Sequence, residues 1–352
     1  MAGLLETYLQ DIRIKYPNAL DRDEWRIKRY GLLNSALEQN ASPFSILTPD
    51  LKEQAMTSQG RVIDIPVLKK GSLTVSNVRS CTIGNYENES EMLNVTWSTL
   101  VVDISMVKAQ YAKNEVSYVT DLSKKLLLVK EAFLGQIEDA INTKLDAEKS
   151  AVFNSTLVGT GNKYALVGDA IQVPKAEQNL FYNDVEAIQN ADDFYGENYV
   201  VASTNMMPSV NHYINQGAGN NTNLNYQFAD KSFRFSNAVV NGAGVTATGY
   251  IMPIGTLGML TRVDVDAMMN HKATDGTEWG TIAVDGIPFE VGYRYKSECS
   301  DQSLLNGAGL SHLKATMVEH WQFSVDFALV TPYNSDAVNN SSAIKKVEFL
   351  NV

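Results

Sequence analysis

Cysteine is nearly absent from this chain. Its 352 residues include two, Cys81 and Cys299, far apart in sequence. So sparse a pair makes no disulfide framework, and without a CxxC there is no thiol motif for zinc or redox work. Histidine is scarce too. His212, His271, His312 and His320 form neither HExxH nor HxH, which excludes the common zinc-hydrolase spacings. Long apolar runs are missing. The longest uncharged stretch, Phe235 to Thr261, is rich in Asn, Gly and Thr and holds Pro253, too polar for a bilayer core. A basic excess is missing as well: 29 Lys and Arg against 40 Asp and Glu leave a net charge of −11. That argues against sequence-specific reading of duplex DNA.

The nucleotide and hydrolase fingerprints are also lacking. Gly242-Ala243-Gly244 and Gly307-Ala308-Gly309 have no third glycine and no preceding strand. No Walker lysine follows a glycine run, and no GxSxG elbow occurs. The sequons at Asn88, Asn94, Asn154, Asn220, Asn339 and Asn340 are what chance produces in an Asn/Ser/Thr-rich chain. Glu6 follows the first residues too soon for a signal peptide. The expectation is a soluble protein folded in a cytoplasm. With 44% apolar and 20% charged residues, the composition is that of a globular protein, long enough for two or three domains or for one core with large excursions.

The first 57 or so residues read as an irregular, partly helical arm. Leu4, Leu5, Tyr8, Leu9 and Ile12 keep helical spacing. A second helical stretch, about Asp21 to Gln39, carries Trp25 and Tyr30 and breaks at Asn40-Ala41-Ser42-Pro43. The arm has apolar residues but no local elements to bury them against. From Gly60 the period becomes two. Val62–Val67 and Val95–Met106 read as strands joined by a polar connection, an extended hairpin with no helix of its own. A lone ribbon is marginal in water, so Trp97 on it is either exposed or covered by another chain. Lys69-Lys70, where the first strand ends, reads as a solvated turn or as a charge contact with an acidic neighbouring copy.

Leu122, Leu126, Val129, Phe133, Ile137, Ile141 and Leu145 step by threes and fours. This predicts an amphipathic helix of about 28 residues. The other side is expected to carry Lys124, Lys125, Lys130, Glu131, Glu138, Asp139, Lys144 and Glu148. Gly135 weakens it or admits a close approach or bend. Beyond it come turns at Gly159–Asn162 and Gly168-Asp169 and a helix at Asn183–Asn190. Tyr199–Ser203 reads as a buried strand, and a helix starts near Pro208. After a Gly/Asn loop at Asn215–Asn225, strand pieces lie at Ala238–Val240, Thr246–Met252 and Gly258–Val265. A hairpin turns around Asp285-Gly286. The strand from Trp321 to Leu329 alternates apolar and polar, and Ala343–Leu350 forms a last strand. The class is α+β. The acidic pairs Asp192-Asp193 and Asp264-Val265-Asp266, and the imidazole in Glu319-His320-Trp321, have the chemistry for a divalent ion or a general base. Exposed turns and a surface imidazole explain them more simply.

The order of parts resembles the major capsid proteins of tailed bacteriophages, the Hong Kong 97-like coat fold. Two local stretches are similar to such coats: Trp279–Glu290 followed by Cys299-Ser300-Asp301, and Trp321–Asp326 with Pro332–Asp336. The resemblance implies an N-terminal arm at 1–57 and an E-loop at 58–117. It implies a P domain from 118–182 with a spine helix at 120–149, an A domain at 183–315, and a return to the P domain at 316–352. It also implies a non-enzymatic subunit with no catalytic, cofactor-binding or metal-binding residues and no cofactor. Such a subunit assembles with itself into hexamers and pentamers of a virion shell, in the cytoplasm of a bacterial host. Expected partners are a portal, a separate scaffolding protein and, in some shells, a decoration protein. Contact with packaged DNA would be non-specific, and there would be none with a membrane. Trp25, Tyr30, Lys69, Lys70 and Trp97 are the candidate interface residues. The alternatives are an encapsulin-like nanocompartment shell, which shares the fold, and a metal-dependent hydrolase using Asp264, Asp266 or His320.

Overall fold

The computed structural model describes residues 30–43, 45–57, 62–68, 90–107, 111, 118–216, 231–284, 286–305, 311–332 and 341–351. In chain order the elements begin with helices α1 (Gly31–Ala41) and α2 (Pro49–Thr57), strands β1 (Val62–Leu68), β2 (Ser90–Thr96) and β3 (Ser98–Val107), and helix α3 (Tyr118–Ala147). Next come β4 (Ala165–Val167), β5 (Ala170–Val173), α4 (Phe181–Asn190), β6 (Asn198–Ser203), α5 (Met207–Gln216), β7 (Lys231–Ser236) and β8 (Val245–Pro253). The chain ends with β9 (Gly258–Arg262), the short α6 (Val265–Met268), β10 (Glu278–Ile282), β11 (Val291–Leu305), β12 (Ser311–Val330) and β13 (Lys345–Leu350). The class is α+β, as expected.

The chain divides into two units. One holds Trp97–Ile137 and Thr261–Ala328; the other holds Tyr30–Thr96, Glu138–Leu260 and Leu329–Val352. β11, from 183–315, and β12, which runs into the C-terminal return, share one sheet.

In the first of these units, β10, β11, β12 and β3 form an antiparallel run. Trp321, Phe323, Val325 and Phe327 alternate along β12 and are all buried. Trp321, Phe323 and Val325 pack with Leu122, Leu126, Val129 and Phe133 from the first half of α3, and Ile104, Met106, Tyr293 and Tyr295 complete the core. Tyr295 stands opposite Trp321 in the β11–β12 register, ring centroids 4.4 Å apart. Its hydroxyl donates to the buried Glu319 at 3.0 Å; burial, with Glu319 beside it, pushes the phenol up to about 12.

In the second unit the sheet order is β4-β5-β13-β8-β6-β7. β13 lies parallel to β5 and antiparallel to β8, so the end of the chain becomes a central strand. Gly168 (φ 56°) and Asp169 (φ 60°) make the two-residue turn between β4 and β5, the left-handed pair that a tight hairpin requires. All of β6 is buried, and Tyr182, Phe181, Tyr213 and Phe349 pack beside it in one aromatic cluster. Lys345, Val347 and Phe349 share the buried parity of β13. Lys345 therefore carries its ammonium inward, to Asp192 and to Ser150 Oγ at 3.3 Å, between the rings of Phe153 and Phe194. Burial holds that ammonium below its usual range.

Three expectations are corrected. Residues 30–57 are not a coreless arm. Leu32, Leu33 and Ala36 of α1 are almost fully buried, and Gly31 lies so close to β7 that a Cβ there would sit 2.3 Å from the Phe235 carbonyl oxygen. Lys130 and Glu138 do not lie on the solvent side of α3. Each is 2% exposed, because each falls three or four residues from Leu126, Phe133, Leu134 or Ile141 and so joins the buried stripe. Asp192 is not in an exposed turn but in the ion pair with Lys345.

Gly31 and Gly135 make a matched test of packing. Gly135 on α3 has open space around it, so it marks no close approach. Gly31→Ala is expected to lower the unfolding free energy by about 1–3 kcal/mol through overpacking against backbone. Gly135→Ala should raise it by up to about 1 kcal/mol through helix propensity. Urea titration of both variants checks the pair, and a neutral Gly31→Ala would contradict the packing of α1 on β7.

Candidate functional site

The sequence points first to the ribbon. β1 and β2 pair antiparallel from Val62↔Thr96 to Leu68↔Ser90, and among the described residues they pair with each other alone. The register puts Ile65 and Val95 on one face. Ile65 and Val95 are buried, while Asp64, Asn94, Thr96 and Met92 on the opposite face are exposed, Met92 by 54%. Much of the expected excursion of 58–117 lies outside the described residues. The ribbon's second strand ends at Thr96, and β3 turns to a different partner, pairing Ser98–Val107 with Phe327–Val318 of β12.

Trp97 sits at that change of partner. Its ring is only 7% exposed, and the Arg262 guanidinium lies over it, 4.3 Å from the ring centroid. Arg262 Nε donates to Asp326 at 3.1 Å, and the Thr99 hydroxyl donates to the other oxygen of the same carboxylate at 2.7 Å. The choice posed by the sequence, an exposed ring or one covered by another chain, is corrected. Trp97 is covered by its own chain, because β3 has a sheet to join. Of the other interface candidates, Tyr30 is the half-buried N-cap of α1, its carbonyl accepting the Asn34 N–H at 3.0 Å and its backbone bridging to Ser236. Trp25, Lys69 and Lys70 lie outside the described residues.

Two of the residues named for the hydrolase alternative, Asp264 and His320, have partners within the chain. Asp264 caps α6, accepting the Val265 N–H at 2.9 Å. His320 stands on the outer face of β12 with its Nε2 3.4 Å from Glu298. It borders a shallow concavity of about 290 Å³ with Asp103, Arg294, Lys296, Glu298 and Gln322. This face is a mosaic of both charges: Gln322 donates to Asp103 at 2.8 Å, and Lys296 pairs with Glu298 at 3.2 Å. Among the described residues no three His, Cys, Asp or Glu side chains come together as metal ligands would. No helix among them is long and apolar enough to cross a membrane.

The sequence reading missed the pairs that hold these parts: Arg262 with Asp326, Lys345 with Asp192, and Glu138 with α1. Parity along β13 and spacing along α3 carry the signal for Lys345 and Glu138. Nothing local announces Arg262.

No family model matches the chain, and no curated relative matches it. Solved structures superpose on most of it at low identity. The capsid asymmetric unit of cyanophage Pam1 has a TM-score of 0.49 and 10% identity, covering 85% of this chain and 87% of its own. A structure from Mycobacterium phage Cain gives 0.46 and 14%, covering 84% and 87%. An encapsulin complex from Synechococcus elongatus gives 0.43 and 6%, covering 86% and 88%.

Because Trp97 is buried within its own chain, Trp97→Ala is expected to destabilise the isolated subunit by about 3 kcal/mol or more, read by denaturant unfolding before any assembly. Arg262→Lys should lose part of the same stability, since an ammonium cannot both stack on the ring and keep the planar contact with Asp326. Unchanged subunit stability in Trp97→Ala would return the ring to the interface reading.

Proposed function

We propose that this chain is a self-assembling shell subunit, the major capsid protein of a tailed double-stranded DNA bacteriophage, arranged in hexamers and pentamers around the genome. The observation that carries the reading is the ribbon. β1 and β2 have only each other to pair with among the described residues, and two strands are too few for stability in water. A second copy of the chain supplies the missing surface. A few hundred Å² of apolar contact at ~25 cal/mol per Å² contributes several kcal/mol to each subunit contact, repeated around a closed shell. The exposed ribbon face, with Met92 set among Asp64, Asn94 and Thr96, has the mixed character of a surface covered only on assembly.

The order of parts supports the same reading: a ribbon, a long helix, then a mixed sheet completed by the last strand. So does the charge. At −11, a shell wall of this chain repels packaged DNA rather than gripping it. In this reading a portal, a separate scaffolding protein and in some shells a decoration protein are the partners, the work is structural rather than catalytic, and assembly takes place in the host cytoplasm.

Negative-stain electron microscopy with a light-scattering mass tests the proposal. Closed shells or capsomer-sized rings are the expected result, from the chain alone or co-expressed with its gene neighbours. A single-subunit mass in both preparations would contradict it. Portal and terminase genes beside this one would separate a phage coat from a nanocompartment, for which a cargo-enzyme gene would be the neighbour.

A further inference from the structure

The outer face of the β10-β11-β12-β3 sheet carries a polar row. Trp279, Arg294, Gln322 and Asp103 stand in register across the four strands, with Lys296 and His320 in register beside them. Side chains alternate along a strand, so these point away from the core that holds Tyr293, Tyr295, Trp321 and Phe323. Arg294, His320 and Asp103 are exposed, and Val101 on the same face is 48% exposed.

The charges of the concavity on this face answer one another, with one exception. Gln322 donates to Asp103 at 2.8 Å, and Glu298 meets Lys296 at 3.2 Å and His320 at 3.4 Å. The Arg294 guanidinium has no ion-pair or hydrogen-bond partner among the described residues. It lies instead over Trp279, 5.6 Å from the ring centroid, and the His271 ring is 5.5 Å from the same indole. Stacking of this kind holds a guanidinium in place and leaves its N–H fork open. We propose that Arg294 receives a carboxylate side chain of a second copy of this chain, docked on the outer face of the sheet. This rests on the shell reading above and names a residue of the contact.

The fork of an arginine fits a carboxylate or a phosphate. The surroundings separate the two. Asp103 and Glu298 line the same concavity as Arg294, so a run of phosphates laid across the face would meet both carboxylates. A single carboxylate side chain reaches the guanidinium without crossing them. The chain itself supplies such groups, with 40 Asp and Glu against 29 Lys and Arg. Asp64, Asp139, Asp169 and Asp193 are exposed and enter no ion pair among the described residues. Opposite charges left open on separate surfaces of one chain are groups that two copies can pair.

Light-scattering mass and electron microscopy of the full chain test this, in the preparation in which the natural chain assembles. Arg294→Glu sets like charges against each other. It should raise the concentration needed for assembly by more than about tenfold. The melting temperature of the free subunit should not change, because the guanidinium has no partner inside the chain. Arg294→Gln takes its place if the reversal lowers that temperature. Arg294→Lys keeps the charge and should still assemble. Carbodiimide, which joins amines to carboxylates in contact, should then link position 294 to an acidic peptide of another copy. Co-assembly of light and heavy-isotope copies shows that link as mixed pairs. Natural assembly by the reversed or neutral variant, or no link from position 294 to another copy, would overturn the proposal. So would unchanged assembly with DNA binding lost, which assigns the guanidinium to phosphate. A natural chain that stays a single subunit would fail the shell reading itself.

Discussion

The constraint on which much of this structure depends is the need of one short helix for charges it does not own. α1 has no acidic residue in its first turn, no basic residue in its last and no side-chain cap from Tyr30. Its first N–H groups and last carbonyls still require partners. Glu138 meets the first end from α3, and Lys52 of α2 meets the other, donating to the Asn40 carbonyl at 2.8 Å. Asn40 and Gln39 complete the docking through the backbone of Leu257 and Met259, at 2.6–3.0 Å. Each end of the helix meets a side chain that bonds to its unpaired backbone groups. Residues distant in sequence are thereby fixed to one site, which turns an apparent arm into part of a core.

Burying charge in this way is costly unless each group is paired, and the unit built around α1 pairs its charges repeatedly. Lys345 meets Asp192, with Ser150 and two phenylalanine rings around the ammonium. Asp146 receives Lys346 at 2.8 Å, Lys149 at 3.3 Å and the Tyr250 hydroxyl at 3.2 Å. The first network binds the late strand β13 to segments after α3, and the second binds it to the last turn of α3 itself. The other unit relies instead on an aromatic and aliphatic layer between sheet and helix, with Glu319 held by the hydroxyls of Tyr118 and Tyr295. Among the described residues the ribbon has no strand partner beyond its own two, and its exposed face, with Asp64, Met92, Asn94 and Thr96, is the part that a neighbouring subunit would cover in the proposed assembly.

What was legible in the sequence is what repeats over many residues. The seven apolar positions of α3 are all buried, and the helix runs Tyr118–Ala147. Alternation found β12 from Trp321 onward, though the strand runs to 20 residues, Ser311–Val330, its earlier part pairing with β11. Short elements were less visible. β7 was missed and a strand was expected at Ala238–Val240, where the chain only bends and Val240 is 76% exposed. Phe233 and Phe235 gave β7 its pattern, but it follows a Gly/Asn loop that reads as unstructured. The hairpin expected around Asp285-Gly286 is present, β10 pairing antiparallel with β11 up to Ile282↔Val291. The interface candidates were chosen for lacking a local core. That criterion failed at Trp97 because its partners, Arg262 and Asp326, are contributed from far along the chain.

The most direct measurement of the central claim, that the ribbon is completed by another copy, is amide exchange of residues 62–68 and 90–96 in assembled and in dissociated protein. The account predicts fast exchange in the free subunit and strong protection on assembly, with β6 slow in both. Ribbon amides that exchange at the same rate in the two states would contradict it.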